Sequence, residues 1–170
     1  MFKQILVFAT LAALLCGCVL QSRSPLYGDN EAQLALGAAG GPVLVSNWRD
    51  GKWEADAERV EITVTGNHYE AMAKPAAIAL HFVPLGGLWF VLQAVEAGKP
   101  AVYMLAEVKD KSAEVYSLPC SDLKKDAGIA NWISYEGDDC FIEPGAPAST
   151  LFAALLKTPG EPSSRFELLK

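Results

Sequence analysis

Arg59-Val60-Glu61-Ile62-Thr63-Val64-Thr65-Gly66-Asn67-His68-Tyr69-Glu70-Ala71 is the stretch from which the rest of the chain can be read. Val60, Ile62 and Val64 alternate strictly with Arg59, Glu61, Thr63 and Thr65, the period of a strand buried on one face and wet on the other. Gly66-Asn67 then supplies a two-residue turn in which glycine takes the positive backbone angle without a steric cost. Counting outward from that turn predicts Thr65 opposite His68, Val64 opposite Tyr69, Thr63 opposite Glu70 and Ile62 opposite Ala71. Apolar residues meet apolar residues on one face throughout, so pattern and register agree on an antiparallel hairpin.

Working outward, residues 77–95 carry almost no charge, and a hydropathy scan alone would mark them as a membrane span. Pro84, Gly86 and Gly87 interrupt the run, which fits two buried strands, 77–83 and 88–95, better than one helix. A loop at 96–100 leads to a strand at 101–109, and Asp110-Lys111 turns it into 112–118, with Val108 facing Ala113 and Ala106 facing Val115. Upstream, 32–36 is helix-compatible, a glycine-rich loop follows, 43–46 reads as a strand, and Asp50-Gly51 makes a turn flanked by Trp48 and Trp53. Downstream, Ser121 is placed to cap a helix over 122–127, and 132–135 and 140–142 read as short strands around an acidic turn. Ser149 opens a second helix over 150–157, and 165–168 returns as a strand. The fold class that follows is mainly β: an antiparallel meander that forms a barrel or a two-layer sandwich, with two short C-terminal helices. Hydrophobic types at 51% and charged types at 20% suit one domain with a sizeable core, assigned to 39–170.

The first residues read differently. One positive charge, Lys3, precedes an apolar run over 5–15 broken only by Thr10, the layout of a secretory signal peptide and too short to span a bilayer. The run ends in Leu15-Cys16-Gly17-Cys18, which resembles the lipobox of bacterial lipoproteins. The resemblance implies a signal peptide at 1–17, cleavage between Gly17 and Cys18, and a diacylglyceryl thioether on the Cys18 sulfur with a further acyl chain on the new amine. Several chains anchor firmly where one holds only reversibly. Val19 stands where the family's inner-membrane retention signal is typically Asp, which implies the outer membrane, facing the periplasm. Residues 18–38 are then the lipidated N-terminus and a tether, with the polar run 20–25 as its flexible part.

Charge and cysteines narrow the function. Losing Lys3 from fourteen basic side chains leaves thirteen against twenty acidic ones, a balance of about −7, which repels phosphate backbones and argues against nucleic acid as a partner. Cys120 and Cys140 are expected to pair in an oxidising compartment. No Gly-x-Ser-x-Gly is present, and the glycines at 37, 40 and 41 lack the Lys-Ser or Lys-Thr of a phosphate loop, so no catalytic set and no cofactor are expected. A metal site is not expected either, because the four-ligand spacing of a zinc site is missing, the only histidines, His68 and His81, lie far in sequence from Cys120 and Cys140, and the acidic turn at 136–139 reads as solvated. His68 is expected to be exposed beside its turn; His81, inside an apolar strand, needs a polar partner. His81, Trp89 and Trp132 remain as possible ligand or partner contacts, since aromatic rings supply area at low entropy cost. The expectation is a lipid-anchored, non-enzymatic binding or structural component of the envelope. The alternatives are a lipocalin-like carrier of a small apolar ligand or an inhibitor of an envelope-active enzyme, so the partners are the membrane and either an envelope protein or an apolar ligand.

Overall fold

The structure is a computed structural model and describes residues 19–54, 57–73 and 76–169, so the lipobox and the expected cleavage point lie outside the described residues. In chain order the strands are β1 (Leu20–Ser22), β2 (Gly41–Arg49), β3 (Lys52–Trp53), β4 (Glu58–Thr65), β5 (His68–Ala73), β6 (Ala76–Gly86), β7 (Trp89–Glu96), β8 (Ala101–Lys109) and β9 (Ser112–Ser117). Helix α1 (Cys120–Leu123), strands β10 (Ile133–Glu136) and β11 (Asp139–Ile142), helix α2 (Ala148–Leu155) and strand β12 (Ser164–Leu168) follow. Strands β2, β4, β5, β6, β7, β8, β9 and β12 close on one another as an eight-stranded antiparallel barrel, which decides between barrel and sandwich. Closure leaves these strands no open edge to be covered.

The hairpin that opened the sequence reading has the predicted register, from Thr65 opposite His68 to Ile62 opposite Ala71. The pairs Val108–Ala113 and Ala106–Val115 also form, as does the Trp48–Trp53 pair across Asp50-Gly51. Alternation carries Val43, Val45, Ile62, Tyr69, Ala71, Ile78, Leu80, Phe82, Leu92, Met104, Val115 and Phe166 into the lumen, where they form one apolar core.

Strand β8 is shared along one edge. Its second half pairs with β9, which closes the barrel through β12; its first half pairs with β1, and β1 continues into β11 and β10. The flap made by β1, β11 and β10, together with α1 and α2, covers part of the outer wall. Leu20, Val91, Tyr103, Leu105, Cys120, Cys140, Leu151 and Phe152 form a second apolar core there. Cys120 and Cys140 are bonded, with 2.03 Å between sulfurs, and tie the end of the meander to β11.

Four expectations are corrected. The polar run after Cys18 is not a tether: Leu20, Gln21 and Ser22 are buried in β1, because Gln21 and Ser22 pair with Val102 and Ala101 on one side while Leu20 and Gln21 pair with Cys140 and Phe141 on the other. Residues 32–36 form no helix; Ala32 and Leu36 are buried while the Gln33 amide bonds the Phe82 carbonyl. Pro84 lies within β6 rather than at its end, tolerated because the register shifts between Pro84 and Gly86 and β5 has already turned away. Both helices begin earlier than expected, directly after Pro119 and Pro147, which stand at their N-caps, so Ser121 and Ser149 lie inside the helices and cap neither.

Candidate functional site

The residues singled out from the sequence do not form one group. Trp89 follows the β6–β7 turn and leans on Tyr116, ring centroids 5.2 Å apart, and Trp132 packs at the start of β10 against the outer core. Trp48 and Trp53 meet edge to face at 4.9 Å, with the Arg165 guanidinium 4.2 Å above Trp53. All four tryptophans therefore have packing partners. The acidic turn carries an ion pair from Glu136 to Arg23, on a neighbouring part of the flap.

His81 is different. Residues Leu80 and Phe82 face the lumen, so His81 faces outward from β6, and continuing the β5–β6 register past Tyr69–Leu80 sets His68 beside it. The two imidazoles stack, centroids 4.6 Å apart and planes 22° from parallel. The antiparallel β5–β6 pairing is what brings the two histidines together.

A third residue, which sequence reasoning missed, completes the group. Asp29 lies in the N-terminal segment that crosses the β4–β5 turn, and its carboxylate accepts from His68 Nδ1 at 2.7 Å and from the Asn67 amide at 3.1 Å. The Asn67 side chain returns a bond to the Asp29 carbonyl at 3.2 Å. Gly66 is required twice over. Its φ of +57° is the left-handed angle of the turn, and a Cβ there would lie 2.2 Å from an Asp29 oxygen. The turn is thus also a seat for a carboxylate, and Gly66-Asn67 was the signal available in the sequence.

Packed under Asp29, His68 is largely covered, its side chain 16% exposed, and not the free surface residue expected. Its Nε2 faces Glu70 Oε1 at 3.8 Å. The His68 hydrogen bond, and then the Asn67 amide, hold the Asp29 carboxyl below the ordinary carboxylate range. Burial, and then the neighbouring His68, push His81 below an ordinary imidazole. Among the described residues His81 Nδ1 is buried and has no hydrogen-bond partner. One ligand atom from each of Asp29, His68 and His81 lies within 4.8 Å of the others.

The lumen offers little room. Leu36, Val43, Val45, Val60, Ile62, Tyr69, Ala71, Leu80, Phe82 and Phe166 line a cavity of about 20 Å³. That is space for roughly one water, against about 300–1,000 Å³ for a typical ligand pocket. The Tyr69 hydroxyl accepts from the Leu36 amide at 2.9 Å and donates to the Gly37 carbonyl at 2.8 Å, which seats the 34–37 segment on the core. Among the described residues no helix is long and apolar enough to cross a membrane.

Comparison of the chain with known protein families, with curated proteins and with solved structures gives no match.

Proposed function

We propose that this chain is a bacterial envelope lipoprotein, anchored by lipid on Cys18, that works by binding a partner on the outside of its barrel. The observation that carries the choice of surface is the small apolar cavity in the lumen, with about 20 Å³ free, which favours the outer wall and rims as the places of recognition. A carrier of an apolar ligand would have to displace core side chains such as Phe82 and Leu80 to gain the volume. Binding is favoured over turnover because the carboxylate–imidazole pair Asp29–His68 is directed at a second imidazole and at Glu70, not at a hydroxyl or thiol nucleophile.

Support for the anchor is the run Leu15-Cys16-Gly17-Cys18 after an apolar leader. With β1 beginning at Leu20, a lipid on Cys18 would hold the barrel close to the bilayer, with the flap side nearest to it. The test is expression of the full chain in a bacterium with photo-crosslinking residues at Glu61, on the outer wall, and at Leu88, on the β6–β7 turn. The expected result is membrane fractionation that is lost on Cys18→Ser, together with discrete protein adducts. Equal membrane retention and processing of the serine variant would remove the anchor. An extracted lipid or small apolar molecule bound one to one would replace partner binding by carriage.

A further inference from the structure

We propose that Asp29, His68 and His81 form a binding site for a divalent first-row cation, zinc first, on the outer wall of the barrel. This goes beyond partner binding and does not depend on it. The donor set is two imidazole nitrogens and one carboxylate oxygen, one of the mixtures zinc takes, and three protein ligands leave a fourth position for water or for a group from a partner. Glu70 Oε1 lies 3.8 Å from His68 Nε2, beside the group rather than within it.

The supports are already built. His68 and His81 sit on paired strands of a closed barrel, so their separation is fixed by backbone hydrogen bonds. Asp29 is held on the β4–β5 turn by the Asn67 amide and side chain, and Gly66 leaves the space for it. Ligand atoms now within 4.8 Å must approach to about 3.3–3.5 Å for metal bonds near 2.0–2.1 Å. The Asp29 side chain, 45% exposed, has room to turn, and the stacked imidazoles must tilt toward one another.

A group that serves only to fasten the N-terminal segment would need Asp29 and His68 alone. His81 does not fit that role: among the described residues its Nδ1 is buried without a hydrogen-bond partner, as are Trp48 Nε1, the Tyr135 hydroxyl and Ser164 Oγ, but of these four residues it is His81 that stands with Asp29 and His68. A bound cation gives an imidazole nitrogen at this place something to bond. It would also cross-link the N-terminal segment to the barrel wall, so that occupancy of the site becomes stability of that junction.

The experiment uses the full chain purified in detergent and stripped with chelator, titrated with zinc and with cobalt while the cobalt visible bands are recorded. The expected result is one equivalent bound, with an N/O-ligand cobalt spectrum lacking thiolate charge transfer, which separates this site from Cys16 and Cys18. Affinity should fall more than about 100-fold in His68→Gln and in His81→Phe, and about 10-fold or more in Asp29→Asn. His81→Phe keeps a stacked ring and tests the nitrogens alone; the apo melting temperature checks that each variant folds. Binding of unchanged affinity in folded His81→Phe, a thiolate spectrum, or no saturable binding of either ion would overturn the proposal.

Discussion

The two apolar cores lie back to back on the same strands, yet they are held together by different means. Inside the lumen the packing is apolar, with the Tyr69 hydroxyl reaching out to the Leu36 amide and the Gly37 carbonyl. Behind the wall, aliphatic side chains are interleaved with a disulfide and lie against a polar hub. Gln93, fully buried, accepts from the Leu26 and Tyr27 amides at 3.0 and 3.1 Å and donates to the Tyr27 carbonyl at 2.9 Å. Tyr103 joins it, bonded to Ser22 Oγ at 2.6 Å and to Gln93 at 3.1 Å. The lumen is one strand pattern repeated around a circle, so its walls cannot collapse into a void. The outer layer is an assembly of short pieces, β1, β10, β11, α1 and α2, none large enough to hold its own place, and cross-links hold them instead.

The largest test of that difference is a pair of truncations. Phe82, in the lumen, and Phe152, on α2, are both fully buried. Phe82→Ala should cost about 4–5 kcal/mol, because a ring of hydrogen-bonded strands keeps the cavity open. Phe152→Ala should cost closer to about 3 kcal/mol, since α2 can settle toward Tyr103 and Tyr27, whose rings lie 5.6 and 6.2 Å from that of Phe152. Urea unfolding midpoints at constant slope give both values, and an equal or larger loss at Phe152 would show the outer layer to be as rigid as the wall.

Next in size is the disulfide. Replacing Cys120 and Cys140 together by alanine opens a crosslink across a sequence separation of 20, for a loss of about 3 kcal/mol on the chain-entropy account. The loss should be local. Amide hydrogen exchange in β10, β11 and α1 is expected to rise, while β4 and β5 keep their protection. A uniform rise around the barrel would mean that the flap and the lumen are one cooperative unit.

What could be read in the sequence divides along the same line. The hairpin at Gly66-Asn67 and the pairs on β8 and β9 were legible because one face of each strand is wet, or because a turn fixes the register. In β7 and β8 both faces are covered, so Val91, Tyr103 and Leu105 gave no sign of which side they served. The fate of residues 20–40 was hidden for another reason. Leu20-Gln21-Ser22 is polar enough to read as linker, and only the vacant half-edge of β8, a feature of the closed barrel, makes it a strand. Asp29 was invisible on its own, being defined by a turn 38 residues away. His81 was noticed as a polar residue among apolar ones, but its partner His68 could be found only by carrying the β5–β6 register one pair beyond Tyr69–Leu80.

A smaller effect follows at the polar hub. Gln93→Leu keeps the volume and removes the acceptor and donor that serve Tyr27, leaving its part-buried amide and carbonyl without that partner while the Leu26 amide keeps Tyr103, for a loss of about 1–3 kcal/mol. The equivalent change in the lumen, Leu92→Met, unmatches nothing and should cost less than about 1.5 kcal/mol. Thermal melts of the two variants compare the faces at adjacent positions of one strand. A larger loss from Leu92→Met would mean that the hub is dispensable and that packing alone holds the flap.

The gentlest probe is alkali. All five tyrosines have phenols raised above their ordinary 10.0, in each case chiefly by burial, and Tyr27 is pushed up to about 12 by burial and by neighbouring Tyr103. A group that holds its proton more tightly when folded adds stability that is complete below its ordinary value, here pH 10. That stability is lost as pH climbs through the folded value, toward about 12 for Tyr27. Tyr69 serves the lumen, whereas Tyr27, Tyr103, Tyr116 and Tyr135 lie in or against the outer core. The outer layer should therefore yield first. Phenolate absorbance is expected to lag behind that of free tyrosine at pH 10, then to rise together with increased exchange in the flap while β4 and β5 stay protected. Tyr103→Phe should blunt that alkaline loss in the flap more than Tyr69→Phe does, because Tyr103 is buried in the outer core and held above its ordinary value chiefly by that burial, whereas Tyr69 lies in the lumen. Half-ionised phenols at pH 10 in a chain whose circular dichroism is unchanged would mean that the outer layer is open to solvent, and the contrast between the two cores would then have to be drawn at the barrel wall itself.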